Sequence, residues 1–169
     1  LEQGSLLIAR GAAVGGDGGT INIQSDNLVS EGFLRVNAGG AYGQINLATV
    51  QDLNIVDDAL DQAWDLENLA NPVADDSQIS VGSSLLFVDA NLSLETDGVL
   101  TFDTDLDVNP ANGQRRVKGN LRLSGDRIDL ANSGLTSISA DGDLFATGDI
   151  EMASGVGTGL NIESGRSMV

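Results

Sequence analysis

Cysteine and histidine are both absent from the 169 residues. Without cysteine there can be no disulfide, so a chain folding outside the cell needs another source of stability, such as stacked strands. Without histidine or cysteine, Ser-His-Asp and Cys-His catalysis are excluded, and so are His or Cys metal sites. Proline occurs only at Pro72 and Pro110, and aromatics are limited to Trp64, Tyr42 and four Phe. Basic residues are scarce too: 8 against 25 acidic, a net charge of −17. No basic stripe exists to neutralise phosphates, so neither nucleic acid nor an anionic membrane is an expected partner. The charge suits solubility, cation binding or a crowded extracellular setting. No hydrophobic run approaches membrane-spanning length, so membrane insertion is not expected, and no signal peptide is recognisable. The sequence opens on Leu1 and reads as an excised segment or mature fragment, so a missing export signal says nothing about location.

Glycine, by contrast, is abundant at 22 residues, and 41% of the chain is apolar. One small unit recurs: two apolar residues flanking a polar or small one, then a turn. It runs through Ile21-x-Ile23, Leu34-x-Val36, Ile45-x-Leu47, Leu53-x-Ile55 and Ile79-x-Val81. It continues through Leu92-x-Leu94, Leu100-x-Phe102, Leu106-x-Val108, Leu121-x-Leu123 and Ile128-x-Leu130, and ends with Leu144-x-Ala146, Ile150-x-Met152 and Leu160-x-Ile162. Period two means a strand with one buried face. The Gly, Asn, Asp and Ser between units ("GGDGG", "NAGG", "TDG", "ANSG", "ADGD") supply tight turns.

Strands this short and regular fit a β-sandwich or a parallel β-helix, in which each strand stacks on its equivalent one coil later. The β-helix is preferred. The units are shorter than sandwich strands of about five to six residues. The core positions are aliphatic and interchangeable, as stacked ladders require, and a sandwich core usually leans on larger side chains. Irregular spacing excludes the strict hexapeptide left-handed form. The expected fold is therefore all-β: a right-handed parallel β-helix in one domain over residues 1–169. Coils of roughly 20–25 residues would give about six or seven of them.

One segment departs from period two. In "VDDALDQAWDLENLANP" (Val56–Pro72), Ala59, Leu60, Ala63, Trp64 and Leu66 or Leu69 fall at helical spacing. Asp57 or Asp58 can cap the start, and Asn71-Pro72 ends it. This predicts one short helical insertion at 57–70 that covers an edge or side of the strands. The competing reading makes Trp64, the only Trp, a partner-binding residue.

The order of residues in "GGDGGTINIQSDNLVSEGFLRVNAGG" (Gly15–Gly40) and "GNLRLSGDRIDLANSGLTSISADGDLFATGDI" (Gly119–Ile150) resembles the filamentous-haemagglutinin-like exoproteins of bacterial two-partner secretion. Their repeats read Gly-Gly-x-Ile-x-Ile, Leu-x-Val-x-Gly and Leu-x-Ala-x-Gly. Gly-rich repeats of this kind also occur in autotransporter passengers and phage tail fibres. The resemblance implies a right-handed β-helix forming part of a long secreted adhesin shaft. It also implies an outer-membrane secretion partner for the full-length protein, and a place outside the cell or on its surface. That family's secretion domain carries an Asn-Pro-Asn-Gly turn. "NPANG" (Asn109–Gly113) has an extra Ala and sits mid-chain, so this segment reads as shaft.

"LTFDTDLDVN" (Leu100–Asn109) places Asp103, Asp105 and Asp107 at alternate positions. Leu100, Phe102, Leu106 and Val108 share the core parity with Thr104, so the aspartates have the solvent parity. Same-face residues on a strand lie about 6.5–7 Å apart, whereas calcium holds its oxygens at about 2.3–2.6 Å. Three aspartates on a flat strand cannot all reach one ion. A calcium loop opening at Asp103 would need Gly where Val108 stands and Glu where Gln114 stands. The reading is a solvated face, with a weak cation site completed by a neighbouring coil as its competitor. No catalytic residue and no cofactor is assigned.

Enzyme chemistry was weighed because many β-helices cleave polysaccharides. An inverting glycosidase needs two carboxyls about 6.5–9.5 Å apart, a separation open to Asp103/Asp105 or Asp126/Asp129. The outward faces, mostly Asp, Asn, Ser and Thr, offer few aromatic platforms for a sugar. The basic cluster Arg115, Arg116 and Lys118 reads as counterbalance to nearby carboxylates. "GGDGG" precedes a strand, so it is not a dinucleotide fingerprint. The expected function is a non-catalytic shaft segment of a secreted bacterial surface adhesin, with a host-surface glycan or protein as partner. A polysaccharide-cleaving enzyme and a phage tail-fibre segment are the alternatives.

Overall fold

The computed structural model describes residues 6–9, 15–30, 33–36, 40–56, 77–80, 90–104, 117, 119–130, 137–152 and 161–169. The predicted helical insertion at 57–70 lies outside the described residues, and Trp64 with it. The described part is all-β, with thirteen strands and no helix. In chain order they are β1 (Leu6–Ile8), β2 (Thr20–Ser25), β3 (Val29–Ser30), β4 (Phe33–Arg35), β5 (Gly43–Thr49), β6 (Leu53–Val56) and β7 (Ser77–Ser80). Then come β8 (Ala90–Thr96), β9 (Val99–Phe102), β10 (Leu121–Leu130), β11 (Ser137–Ala140), β12 (Leu144–Met152) and β13 (Asn161–Ser164).

Every strand pair is parallel. Parallel partners need a long connection between them, and here the connections repeat. Asn46 stands over Asn22 at a separation of 24, Asp143 over Asn120 at 23, and Asn120 over Asn91 at 29. Where residues 57–76 and 81–89 intervene, the separation rises to 47, and the register on either side is kept: Ile45 pairs Leu92, and Leu53 pairs Leu100. Strands β2, β5, β8 and the first halves of β10 and β12 form one flank. Strands β3, β7, β6, β9 and the second halves of β10 and β12 form the next. Smaller pairs, β1 with β4 and β11 with β13, stand apart from this large sheet.

In-register stacking converts the period-two pattern into ladders. Ile21, Ile45, Leu92, Leu121 and Leu144 form one column, and Leu47, Leu94 and Leu123 a second. Leu53, Leu100 and Ile128 form a third on the next flank. All of these are buried, and Leu53, Leu94, Leu100 and Phe102 are fully so. Burial of one such side chain stabilises by about 1.5–3 kcal/mol. Ile150 continues the third column over Ile128, yet it is 52% exposed. The strand that carries it, β12, pairs with β10 alone among the named strands.

The corner between the two flanks tightens along the stack. Three residues (Thr96, Asp97, Gly98) separate the outward positions Glu95 and Val99. Two (Gly125, Asp126) separate Ser124 and Arg127, and Gly148 alone separates Thr147 and Asp149. This is a bulge that bends the strand. Gly148 sits at φ 129°, where a side chain would be strained, and a Cβ there would also meet the Gly125 carbonyl oxygen. Before the tightening, the corner buries hydroxyls. Thr49 and Thr96 are 4% exposed, and both donate to the Gln51 carbonyl, at 2.8 and 2.6 Å. Each is satisfied, as buried polar groups must be.

One strand is out of sequence order. The second flank runs β3-β7-β6-β9, so β7 is threaded between two strands whose first-flank counterparts, β2 and β5, pair directly. The fork opens at Ser77. Gln51 N still donates to the Asp26 carbonyl, at 3.1 Å, but Ser77 N takes the Asp52 carbonyl and Leu28 N donates to Ser77 Oγ, both at 2.8 Å. Ser77, fully buried, is thus the residue that closes the fork.

Leu94→Ala is expected to cost about 2–5 kcal/mol, the range for a truncation in a packed core. Glu95→Ala, one residue along on the outward face, should stay within about 0.5 kcal/mol. Denaturant melts of the two variants check this, and equal losses would contradict the assignment of faces.

Candidate functional site

The outward side of the first flank carries two parallel columns of side chains, polar except for Phe145. Gln44, Asn91, Asn120 and Asp143 form one; Asn22, Asn46, Ser93, Arg122 and Phe145 form the other. A single inward aliphatic residue separates the two columns along each strand. Stacked strands stand about 4.8 Å apart. Long side chains at Gln44, Arg122 and Phe145 rise around the short Ser93, leaving a groove of about 250 Å³ lined by Gln44, Asn91, Leu92, Ser93, Asn120, Arg122 and Phe145.

Side-chain hydrogen bonds fix the first column. Asn91 Oδ1 accepts from Asn120 N, and Asn120 Oδ1 accepts from Asp143 N, both at 2.9 Å. Asp143 Oδ1 then accepts from Ser167 N at 3.1 Å. Each side chain caps a backbone N–H on the next stacked segment, just before a strand or bridge begins. With the amide oxygens committed, the Nδ2 groups of Asn91 and Asn120 are left for the groove. The second column is tied by Gln44 Nε2 to Asn46 Oδ1, at 2.9 Å, and Asn46 Nδ2 to Asn22 Oδ1, at 2.6 Å.

Beside this column the glycines have a packing role. A Cβ on Gly119 would stand 2.5 Å from the Ala90 carbonyl oxygen and 2.6 Å from Asn91 Oδ1. Only glycine lets the backbone come close enough for the Asn91 bond to form.

Arg122 supplies the only cation lining the groove among the described residues. Among the described residues, Arg127 pairs with Glu151 at 3.1 Å and approaches Asp129 at 4.0 Å, whereas Arg122 makes no ion pair. Phe145 lies directly across from Arg122 on the next strand, and 36% of it is exposed. It sits at the middle, outward position of the unit Leu144-x-Ala146, where an apolar residue gains nothing from the core.

The residues singled out from sequence lie elsewhere. Asp103 is exposed just beyond β9, and its backbone N–H bonds the Ile55 carbonyl at 2.8 Å. Thr104 is buried on the core parity. Asp105, Asp107 and the basic cluster at 115–118 lie outside the described residues. Asp129 stands on the outward side of β10 within reach of Arg127, while Asp126 sits in the corner turn. Among the described residues no three carboxylate side chains converge on a metal position.

Sequence reasoning missed the groove. It read the outward faces as offering few aromatic platforms for a sugar and gave Arg122 no role. The signal was present: shifting the unit Leu121-x-Leu123 by 23 residues onto Leu144-x-Ala146 sets Arg122 against Phe145.

Two outcomes follow. Asn120→Asp keeps the oxygen that caps Asp143 N, so it should retain most of the stability, whereas Asn120→Leu strands that N–H and should cost about 1–3 kcal/mol in a denaturant melt. For the aspartates, sodium should do most of what calcium does at equal ionic strength in thermal melting. A large calcium-specific rise, abolished by Asp105→Asn and by EDTA, would identify a metal site. As for known proteins, no family model, no curated protein and no solved structure matches this chain.

Proposed function

We propose that this chain is a segment of a right-handed parallel β-helix that serves as a non-catalytic shaft in a secreted bacterial surface adhesin. The observation that carries the reading is the preserved register. Equivalent units 23, 24, 29 and 47 residues apart stack in parallel with their aliphatic residues in the same columns. Such a stack extends by adding coils, each satisfying its backbone through its neighbours. Right-handedness is supported by the general rule that crossovers between parallel strands of one sheet are right-handed in about 98% of cases.

The secreted setting draws on three features. The chain has no cysteine and carries a charge of −17, and its Gly-rich repeats resemble those of filamentous-haemagglutinin-like exoproteins. On this reading the protein works mechanically. The core holds the coils, and the corners and outward columns display side chains laterally to a host-surface glycan or protein. An outer-membrane secretion partner would export the full-length protein.

Antibodies raised against the chain should label intact cells of the bacterium that encodes it, or its culture medium. Purified protein incubated with acidic polysaccharides should release neither reducing ends nor unsaturated products. Label confined to the cytoplasm would overturn the surface assignment, and product release would replace the shaft with an enzyme.

A further inference from the structure

We infer that the groove on the first flank binds a terminal carboxylated sugar, with the ring against Phe145 and the carboxylate on Arg122; this rests on the surface-displayed shaft proposed above. The groove is rich in donors. Asn91 and Asn120 have their oxygens committed to backbone N–H groups, which leaves two amide nitrogens at the groove that Arg122 also lines. Ser93 and Gln44 supply the acceptors. A ligand that answers this set carries oxygen acceptors and a few hydroxyls. A guanidinium binds a carboxylate through two parallel hydrogen bonds. An exposed aromatic ring beside such donors gives the apolar face of a sugar ring a surface to cover.

The size and the charge narrow the ligand further. About 250 Å³ lies just below the usual range of small-molecule pockets, about 300–1,000 Å³, so the groove itself holds about one ring. The protein's net charge of −17 repels a polyanion. Glu95 and Asp143 stand on the strands flanking Arg122, two positions along from its direct partners Ser93 and Phe145. A single carboxylate can sit on Arg122 between them, whereas a run of sulfates or carboxylates would meet both acids. The groove therefore selects one acidic sugar at the end of an otherwise neutral glycan.

The test is an array of defined glycans probed with the intact 169-residue chain. It carries neutral galactose-terminated glycans, the same glycans capped with one sialic or glucuronic acid, the methyl esters of those caps, and heparin. The capped glycans should bind at least about tenfold better than their neutral parents, their esters and heparin, a difference within reach of one charge-assisted pair. Arg122→Gln and Phe145→Ala should each remove most of that preference while melting as the parent protein does. Asn120→Asp, which keeps the fold-stabilising oxygen and loses the donor, should weaken binding as well. Strongest binding to heparin, equal binding of esters and acids, no binding at all, or unaltered binding by the variants would overturn the site. Surface label with a blank array overturns the groove and leaves the shaft. Array binding by a protein retained in the cytoplasm does the reverse.

Discussion

Parallel, in-register pairing is the constraint on which the rest of the molecule depends. Once Ile21 lies under Ile45 and Ile45 under Leu92, every other position is also forced to face its own equivalent about 4.8 Å away. The core columns accept this because Leu and Ile fill similar volumes, so one replaces another along a column at little cost. Corner positions accept it only with small residues or with side chains that complete each other's hydrogen bonds. Gly119 against Ala90 is the first kind. Thr49 and Thr96 sharing the Gln51 carbonyl are the second.

The same constraint is hard on a chain with 25 acidic residues, since stacking invites like charges to lie one above another. Most outward columns avoid it by using neutral amides and hydroxyls: Asn22 under Asn46, Asn54 beside Thr101, Glu95 between Ala48 and Ser124. Where an acid does face an acid, at Asp129 and Glu151, Arg127 reaches both. That exposed arrangement is worth little as net stability, but it offsets the repulsion between the two stacked acids. Among the described residues Arg122 has no such partner, unlike Arg127 on the same strand.

The repeating part of the fold was legible because burial and periodicity are the same information in a strand. Of the U-x-U series, Leu53, Ile55, Leu92, Leu94, Leu100, Phe102, Leu121 and Leu123 are all buried as the parity required. The departures have physical causes. Ile150 follows the pattern but lacks a described strand beyond it, and no local signal records how many neighbours a strand acquires. Ile79 belongs to the series, but its place between β3 and β6 could not be read. Sequence order predicts stacking order only while the connections are short, and residues 57–76 are long enough to deliver β7 to another level. The groove escaped for a related reason. Its two columns draw on four strands, and their alignment depends on separations of 47, 29 and 23 residues, which a reading of each unit alone does not supply.

The threaded strand shows how far such a stack can depart from regularity before the register fails. On the first flank β2 and β5 are direct neighbours, while on the second β7 separates their continuations. The two segments must therefore diverge by about one strand spacing, roughly 4.8 Å, as they turn the corner. The divergence begins only after Gln51 N has bonded the Asp26 carbonyl, so the corner itself remains closed. Ser77 then supplies a backbone donor to one side and a hydroxyl acceptor to the other. A residue without a side-chain acceptor at this point would leave Leu28 N unpaired in a buried setting, a loss comparable to a whole hydrogen bond. Beyond the fork, β6 meets β9 in the same register that β5 keeps with β8. An extra strand can thus enter one flank without shifting the aliphatic columns above it, because register is set pair by pair and not by a count along the chain. The outward columns inherit that stability of register, which is why Asn91 and Asn120 meet across stacked strands whose connecting segments differ so widely in length.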